Sequence, residues 1–147
     1  VMPALIRKFY EAKLKNKSEV ICWGSGAPKR EFLYVDDLAE AAIFILENIC
    51  SESDPNKKFS LNLDSLINVG TGLDISIKNL AEMIAKELNY EGNIRWETNK
   101  PDGTPRKLLD VSQLKSLGWQ AKTSLEKGIK LTIKNFEKEF KNKSIRL

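Results

Sequence analysis

The chain has 147 residues, 41% hydrophobic and 30% charged, which is about one soluble globular domain's worth of sequence. Its formal net charge of +4 comes from scattered lysines rather than from one basic face, which argues against a nucleic-acid partner. It has no histidine and no CxxC, which excludes a Cys/His metal site, and no apolar run reaches the roughly 18 residues needed to cross a bilayer.

The sequence starts at Val1, and Met2 leads directly into Pro3, so it reads as a piece of a longer protein. Residues 3–15 read as a helix, with Leu5, Ile6, Phe9 and Ala12 at helical spacing and Pro3 in the first turn. Residues 19–23 are a short apolar strand, ended by the turn Gly24-Ser25-Gly26-Ala27-Pro28. A second short strand is expected over 31–35. Asp36 is expected to cap a helix over 38–48, whose apolar run of Leu38, Ala41, Ala42, Ile45 and Leu46 suits packing on a sheet.

Residues 51–62 are polar and read as a surface loop. A buried strand is expected over 65–69, stopped by Gly70-Thr71-Gly72. A helix then starts at Asp74 or Ser76 and runs to about Asn89, with Ile77, Leu80, Ile84 and Leu88 on one face. Residues 93–97 form a strand, followed by the loop Lys100-Pro101-Asp102-Gly103-Thr104-Pro105-Arg106-Lys107. A short helix from Val111-Ser112 to near Gly118-Trp119 and a last helix over 124–141 complete the chain. The order is an α/β mixture, mostly helices with few short strands.

Two segments carry the chemistry. The Trp23–Phe32 stretch and the Lys100–Lys107 loop are both glycine- and proline-punctuated turns ending in cations. An aromatic face, backbone N–H groups and a guanidinium together suit a nucleotide diphosphate. Trp23 and Arg30 read equally as a stacking and anion pair or as a core tryptophan and a surface arginine. Asp102 can accept from ribose hydroxyls, form the Pro-Asp-Gly turn, or do both. Gly24-x-Gly26 and Gly70-x-Gly72 stop short of a dinucleotide fingerprint and read as tight turns. Asp36-Asp37 reads as a cap and macrodipole pair rather than as an acid/base pair. None of the three tyrosines is followed by lysine at the fourth position. The two lone cysteines, Cys22 and Cys50, suit a reducing, cytoplasmic setting.

Taken in order, the stretches starting at Val1-Met2-Pro3-Ala4, Trp23-Gly24-Ser25-Gly26, Arg30-Glu31-Phe32, Ile67-Asn68-Val69-Gly70 and Lys100-Pro101-Asp102-Gly103 resemble the GDP-L-fucose synthases, a family of extended short-chain dehydrogenases/reductases. The resemblance implies the C-terminal substrate-binding part of an NAD(P)-binding Rossmann fold. That part would span 1–147, with 36–72 packing on an N-terminal Rossmann domain outside this sequence. It implies an enzyme that epimerises C3 and C5 of GDP-4-keto-6-deoxy-D-mannose and reduces C4 with NADPH, the cofactor being held by the N-terminal domain. Lys8 matches a cation for the substrate diphosphate, Trp23 and Arg30 match substrate-contacting positions, and Asp102 matches a position near the nucleotide. Lys107 is a further candidate for the same pocket. The family's catalytic Ser, Tyr, Lys, Cys and His have no counterpart here, so the chain carries no catalytic residue and is expected to be inactive alone. A GDP-sugar partner, a homodimeric parent and no membrane association are also implied. Tyr34 stands where the family commonly has His and has no assigned role. Two alternatives stay open: part of another nucleotide-sugar epimerase or dehydratase, and a non-catalytic GDP-sugar-binding module.

Overall fold

The computed structural model describes residues 1–48 and 66–142. The chain divides into two compact units, one from Val1–Arg30, Ile75–Lys107 and Glu126–Leu147, the other from Glu31–Asp74 and Leu108–Leu125.

The first unit is built on helix α1 (Met2–Leu14), which has Pro3 in its first turn and buries Leu5, Ile6, Phe9, Tyr10 and Ala12. Strand β1 (Glu19–Trp23) alternates, with Val20 and Cys22 buried and Glu19 and Trp23 exposed. It pairs in parallel with β4 (Asn93–Glu97), from Glu19 opposite Asn93 to Trp23 opposite Glu97. Helix α3 (Ile77–Glu87) begins where the Ser76 side chain accepts from Asn79 N, and it buries Leu80, Ala81, Ile84 and Ala85. Helix α5 (Leu125–Lys141) adds Ile129 and Ile133. Tyr10 meets Phe136 and Phe140 edge-on, with ring centroids 5.4 and 5.0 Å away. Fully buried Phe9 and nearly fully buried Ile6 each contribute about 1.5–3 kcal/mol of apolar transfer energy. A small sheet in the order β3-β2-β5 joins β3 (Asp74–Ser76), β2 (Lys29–Glu31) and β5 (Arg106–Lys107), with Lys29 opposite Arg106 and Arg30 opposite Lys107.

The second unit has its core at Ala41, Leu114 and Trp119, packed by Leu33, Phe44, Ile45, Ile67, Val69 and Ala121. Helix α2 (Val35–Asn48) and the short α4 (Ser112–Ser116) supply Ala41 and Leu114.

Three expectations need correction. The second strand lies over Lys29–Glu31, not over 31–35. Its backbone is fixed by β5 and by Lys29 N donating to Pro105 O at 2.8 Å, after which Leu33 leaves the ladder to pack in the second core. Residues 66–69 form no strand, although Ile67 and Val69 still pack in that core; the short strand comes later, at Asp74–Ser76. Helix α2 starts at Val35, so Asp36 lies in its first turn and is not its cap. Within α2 only Asp37 and Ala41 are buried, and Leu38 is exposed. The loop expected over 51–62, together with Cys50, lies outside the described residues.

Candidate functional site

The first unit contains a cleft of about 420 Å³. Helix α1 contributes Leu5 and Lys8, β1 contributes Cys22 and Trp23, and the following turn contributes Gly26 and Pro28. Arg30, Ile77, Trp96 and the stretch Pro101-Asp102-Gly103 complete the walls. Lys8, Trp23, Arg30 and Asp102, separated widely in sequence, therefore face one space. Lys107 does not line it; this residue lies on β5, exposed, opposite Arg30 in the ladder.

Each polar group has a defined setting. Lys8 Nζ donates to the carbonyl of Ile21 at 2.8 Å, which leaves two of its three N–H groups for a ligand. Trp23 is 72% exposed, a large apolar surface presented at a strand end, and Lys100 Nζ lies 5.6 Å from its ring centroid. The Arg30 guanidinium donates to its neighbour's carbonyl, Lys29 O, at 2.6 Å. Both oxygens of Asp102 are engaged by Ser25, Oδ1 by the backbone N–H at 2.8 Å and Oδ2 by the hydroxyl at 2.6 Å. The Ser25 hydroxyl, and then its amide, hold the Asp102 carboxyl below the usual carboxylate range. Burial pushes the Cys22 thiol up, against the pull of the Lys8 charge, so it rests as an inert thiol.

Both Gly-x-Gly pieces are turns, as the sequence reading holds. Gly24 and Gly26 have φ of +79° and +74°, and their turn spends the Ser25 amide on Asp102 and the Gly24 amide on Glu97 O. In the second unit the Gly70-Thr71-Gly72 turn is filled from within the protein. Glu31 Oε1 accepts from the Thr71 amide and, at 2.7 Å, from the Gly72 amide, while Oε2 accepts from Leu109 N at 3.0 Å. Neither turn offers a free run of amides, so neither is a cradle for the pyrophosphate of a dinucleotide.

Sequence reasoning missed Ser25, Trp96 and Lys100. The two glycines flanking Ser25 signal a tight turn, but nothing local signals its partner Asp102, 77 residues away. A Cβ at Gly26 would lie 2.8–2.9 Å from Trp96 ring carbons, so the glycine is what lets that indole close the cleft. The described residues contain no His/Cys/Asp/Glu group suited to a metal and no helix long and apolar enough to cross a membrane.

Residues 1–62 match the NAD dependent epimerase/dehydratase family. The GDP-L-fucose synthase of Escherichia coli strain K12 is 48% identical over 136 residues, covering 92% of this chain and 41% of that protein. GDP-L-fucose synthase 1 of Arabidopsis thaliana is 44% identical over 132 residues, covering 90% of this chain and 37% of that protein. Among solved structures, an NADP-bound GDP-L-fucose synthetase from Naegleria fowleri superposes with a TM-score of 0.81 at 26% identity, covering 99% of this chain and 42% of that one. The chain spans about two fifths of the length of the curated relatives it matches. Residues 1–62 are thus similar to the NAD dependent epimerase/dehydratase family, and the chain as a whole is similar in sequence and fold to part of the GDP-L-fucose synthases.

Proposed function

We propose that the cleft of the first unit binds the GDP moiety of a nucleotide sugar. The chain would then be the substrate-binding part of an enzyme that converts GDP-4-keto-6-deoxy-D-mannose to GDP-L-fucose by 3,5-epimerisation and NADPH-dependent 4-reduction. The observation that carries this reading is the convergence of Lys8, Trp23, Arg30 and Asp102 on one mostly apolar cleft of nucleotide size. Trp23 offers a stacking face, Lys8 and Arg30 offer N–H groups to the diphosphate, and Asp102 offers lone pairs to a sugar hydroxyl or a base N–H. The names of the relatives agree with a GDP-sugar substrate.

No residue of this chain is assigned a proton- or hydride-transfer step. NADPH, which supplies the hydride in the whole enzyme, would be held by residues outside this chain. The chain alone is therefore expected to bind substrate without turning it over; NADPH oxidation by the 147-residue chain in the presence of the GDP-ketosugar would contradict this. Val35, Leu38, Ile43 and Leu46 of α2 are 66, 48, 55 and 63% exposed, which supports packing of 36–72 on a Rossmann domain. We place the whole enzyme in the cytoplasm as a homodimer, a state that light scattering of the full-length protein checks.

Calorimetric titration of the chain with GDP and then UDP tests the reading. GDP binding that is lost in Trp23→Ala and Arg30→Ala supports it. Preference for UDP would transfer the chain to another nucleotide-sugar epimerase or dehydratase. GDP binding by a cellular protein made of these 147 residues alone would favour a non-catalytic module, and a reading frame upstream of Val1 with a Gly-rich fingerprint and Tyr-x-x-x-Lys would remove that option.

A further inference from the structure

Asp102 reaches the turn after β1 from 77 residues away, and one residue meets both of its oxygens. The Ser25 amide holds Oδ1 and the Ser25 hydroxyl holds Oδ2, so the carboxylate cannot rotate about its own bond without breaking one of them. The hydroxyl also accepts from Ala27 N at 3.1 Å, which leaves its proton directed at Asp102. Gly24 completes the seat: with φ of +79° and no side chain, it leaves the space that Oδ1 enters.

The loop that carries Asp102 is tied at its ends by Lys100 N on Glu97 O at 3.0 Å and by Lys29 N on Pro105 O at 2.8 Å. Between those ties, Pro101, Asp102 and Gly103 form one wall of the cleft. A Cβ at Gly103 would lie 3.3 Å from the Arg30 guanidinium, so the loop also borders the cation expected at the diphosphate. Where this loop sits therefore sets the space beside Arg30 and the position of Lys100 over Trp23.

We infer that Ser25 is a positioning residue, which holds Asp102 and through it the 100–105 loop as a wall of the cleft. Its service to ligand binding rests on the nucleotide reading above, but its geometry does not. The turn between β1 and β2 is thus a receptor for the protein's own carboxylate and not for a phosphate of the ligand. The depressed ionisation of Asp102 provides a handle, because the Ser25 N–H must report the protonation of its acceptor.

The test uses the ¹⁵N-labelled chain. The Ser25 amide resonance is expected to show one acid step below the ordinary carboxylate range, and Asp102→Asn is expected to abolish it. In Ser25→Ala the amides of residues 102 and 103 are expected to lose order in ¹⁵N relaxation while the rest of the spectrum stays in place. GDP affinity is expected to fall about five- to tenfold, the scale of one ordinary hydrogen bond. Ser25→Thr keeps the hydroxyl and is expected to restore loop order and bring affinity within about twofold of the unaltered chain. Absence of the acid step, or an unchanged loop in Ser25→Ala, overturns the inference. So does a loosened loop with undiminished GDP affinity. If the unaltered chain binds no GDP but shows the acid step and the Ser25-dependent loop order, the nucleotide reading fails and the positioning role of Ser25 stands.

Discussion

Lys8 on α1 donates from Nζ to the main-chain carbonyl of Ile21 on β1 at 2.8 Å. The bond draws the ammonium across from the helix to the strand and fixes it where α1 and β1 both border the cleft. A long side chain that is tethered in this way loses less freedom when an anion arrives. Lys8→Met should weaken GDP binding by about ten- to a hundredfold and flatten its salt dependence, since a charged hydrogen bond contributes about 1.5–3 kcal/mol. Lys8→Arg should retain most of the affinity. Calorimetry at several salt concentrations decides; equal affinity in Lys8→Met would remove Lys8 from the site.

Gly26 has two reasons to be glycine. Its φ of +74° disfavours any side chain, and the space a Cβ would need is taken by the Trp96 ring. Gly26→Ala should cost about 2–4 kcal/mol from left-handed backbone and overpacking together. Urea unfolding checks it, and a midpoint equal to that of the unaltered chain would contradict the packing described.

Glu31 should make the second unit acid-sensitive. Burial raises its pKa, but the amides of Leu109, Gly72 and Thr71 more than offset this, so the group titrates below its ordinary value of 4.5. A carboxyl depressed on folding contributes stability that is fully present above the unfolded pKa. That contribution is lost as pH falls through the folded one. Urea midpoints should therefore decline below about pH 4.5, and Glu31→Gln should be less stable near neutrality with a shallower acid slope. An identical slope in Glu31→Gln would assign the acid response to other carboxylates.

Asp37 is 5% exposed and accepts from Lys122 N at 3.1 Å, Thr123 N at 2.8 Å and Thr123 Oγ1 at 3.0 Å. Asp37→Ala strands two main-chain donors and should destabilise the second unit by about 2–4 kcal/mol. Asp37→Asn keeps an acceptor oxygen and should cost less. Hydrogen exchange at the residue 122 and 123 amides reads both; unaltered protection in Asp37→Ala would refute the assignment.

The elements legible in the sequence were those with a strong period of their own. Leu5, Ile6, Phe9 and Ala12 announced α1, and all are buried; Leu80, Ile84 and Leu88 announced α3 equally well. Strands β1 and β4 were readable as short strands with turn residues beside them. The β3-β2-β5 sheet was not, because Lys-Arg-Glu has no strand-like pattern and is held extended by partners far along the chain. At the start of α2 the local rule chose Asp36 as a cap, while the residue put to use is Asp37, which accepts from residues 122 and 123. In the cleft, Trp23, Arg30 and Asp102 were legible from the chemistry of their two loops and Lys8 from the family resemblance, and the structure brings all four to one space. Ser25 escaped because its role depends on an acceptor 77 residues away, which no local pattern reveals.

The parallel register of β1 and β4, Glu19 opposite Asn93, has a consequence during synthesis. A ribosome adding about 5–20 residues per second needs on the order of ten seconds to reach β4 after finishing β1. Throughout that interval β1 has no β4 to pair with, and Val20 and Cys22 lack the cover they have in the finished fold. Closing so long a segment is slow as well as late, because the entropy of the intervening chain must be lost before any ladder bond rewards it. The pace of translation over residues 24–92 thus governs how long a nascent, unpaired strand edge is open to the wrong neighbour.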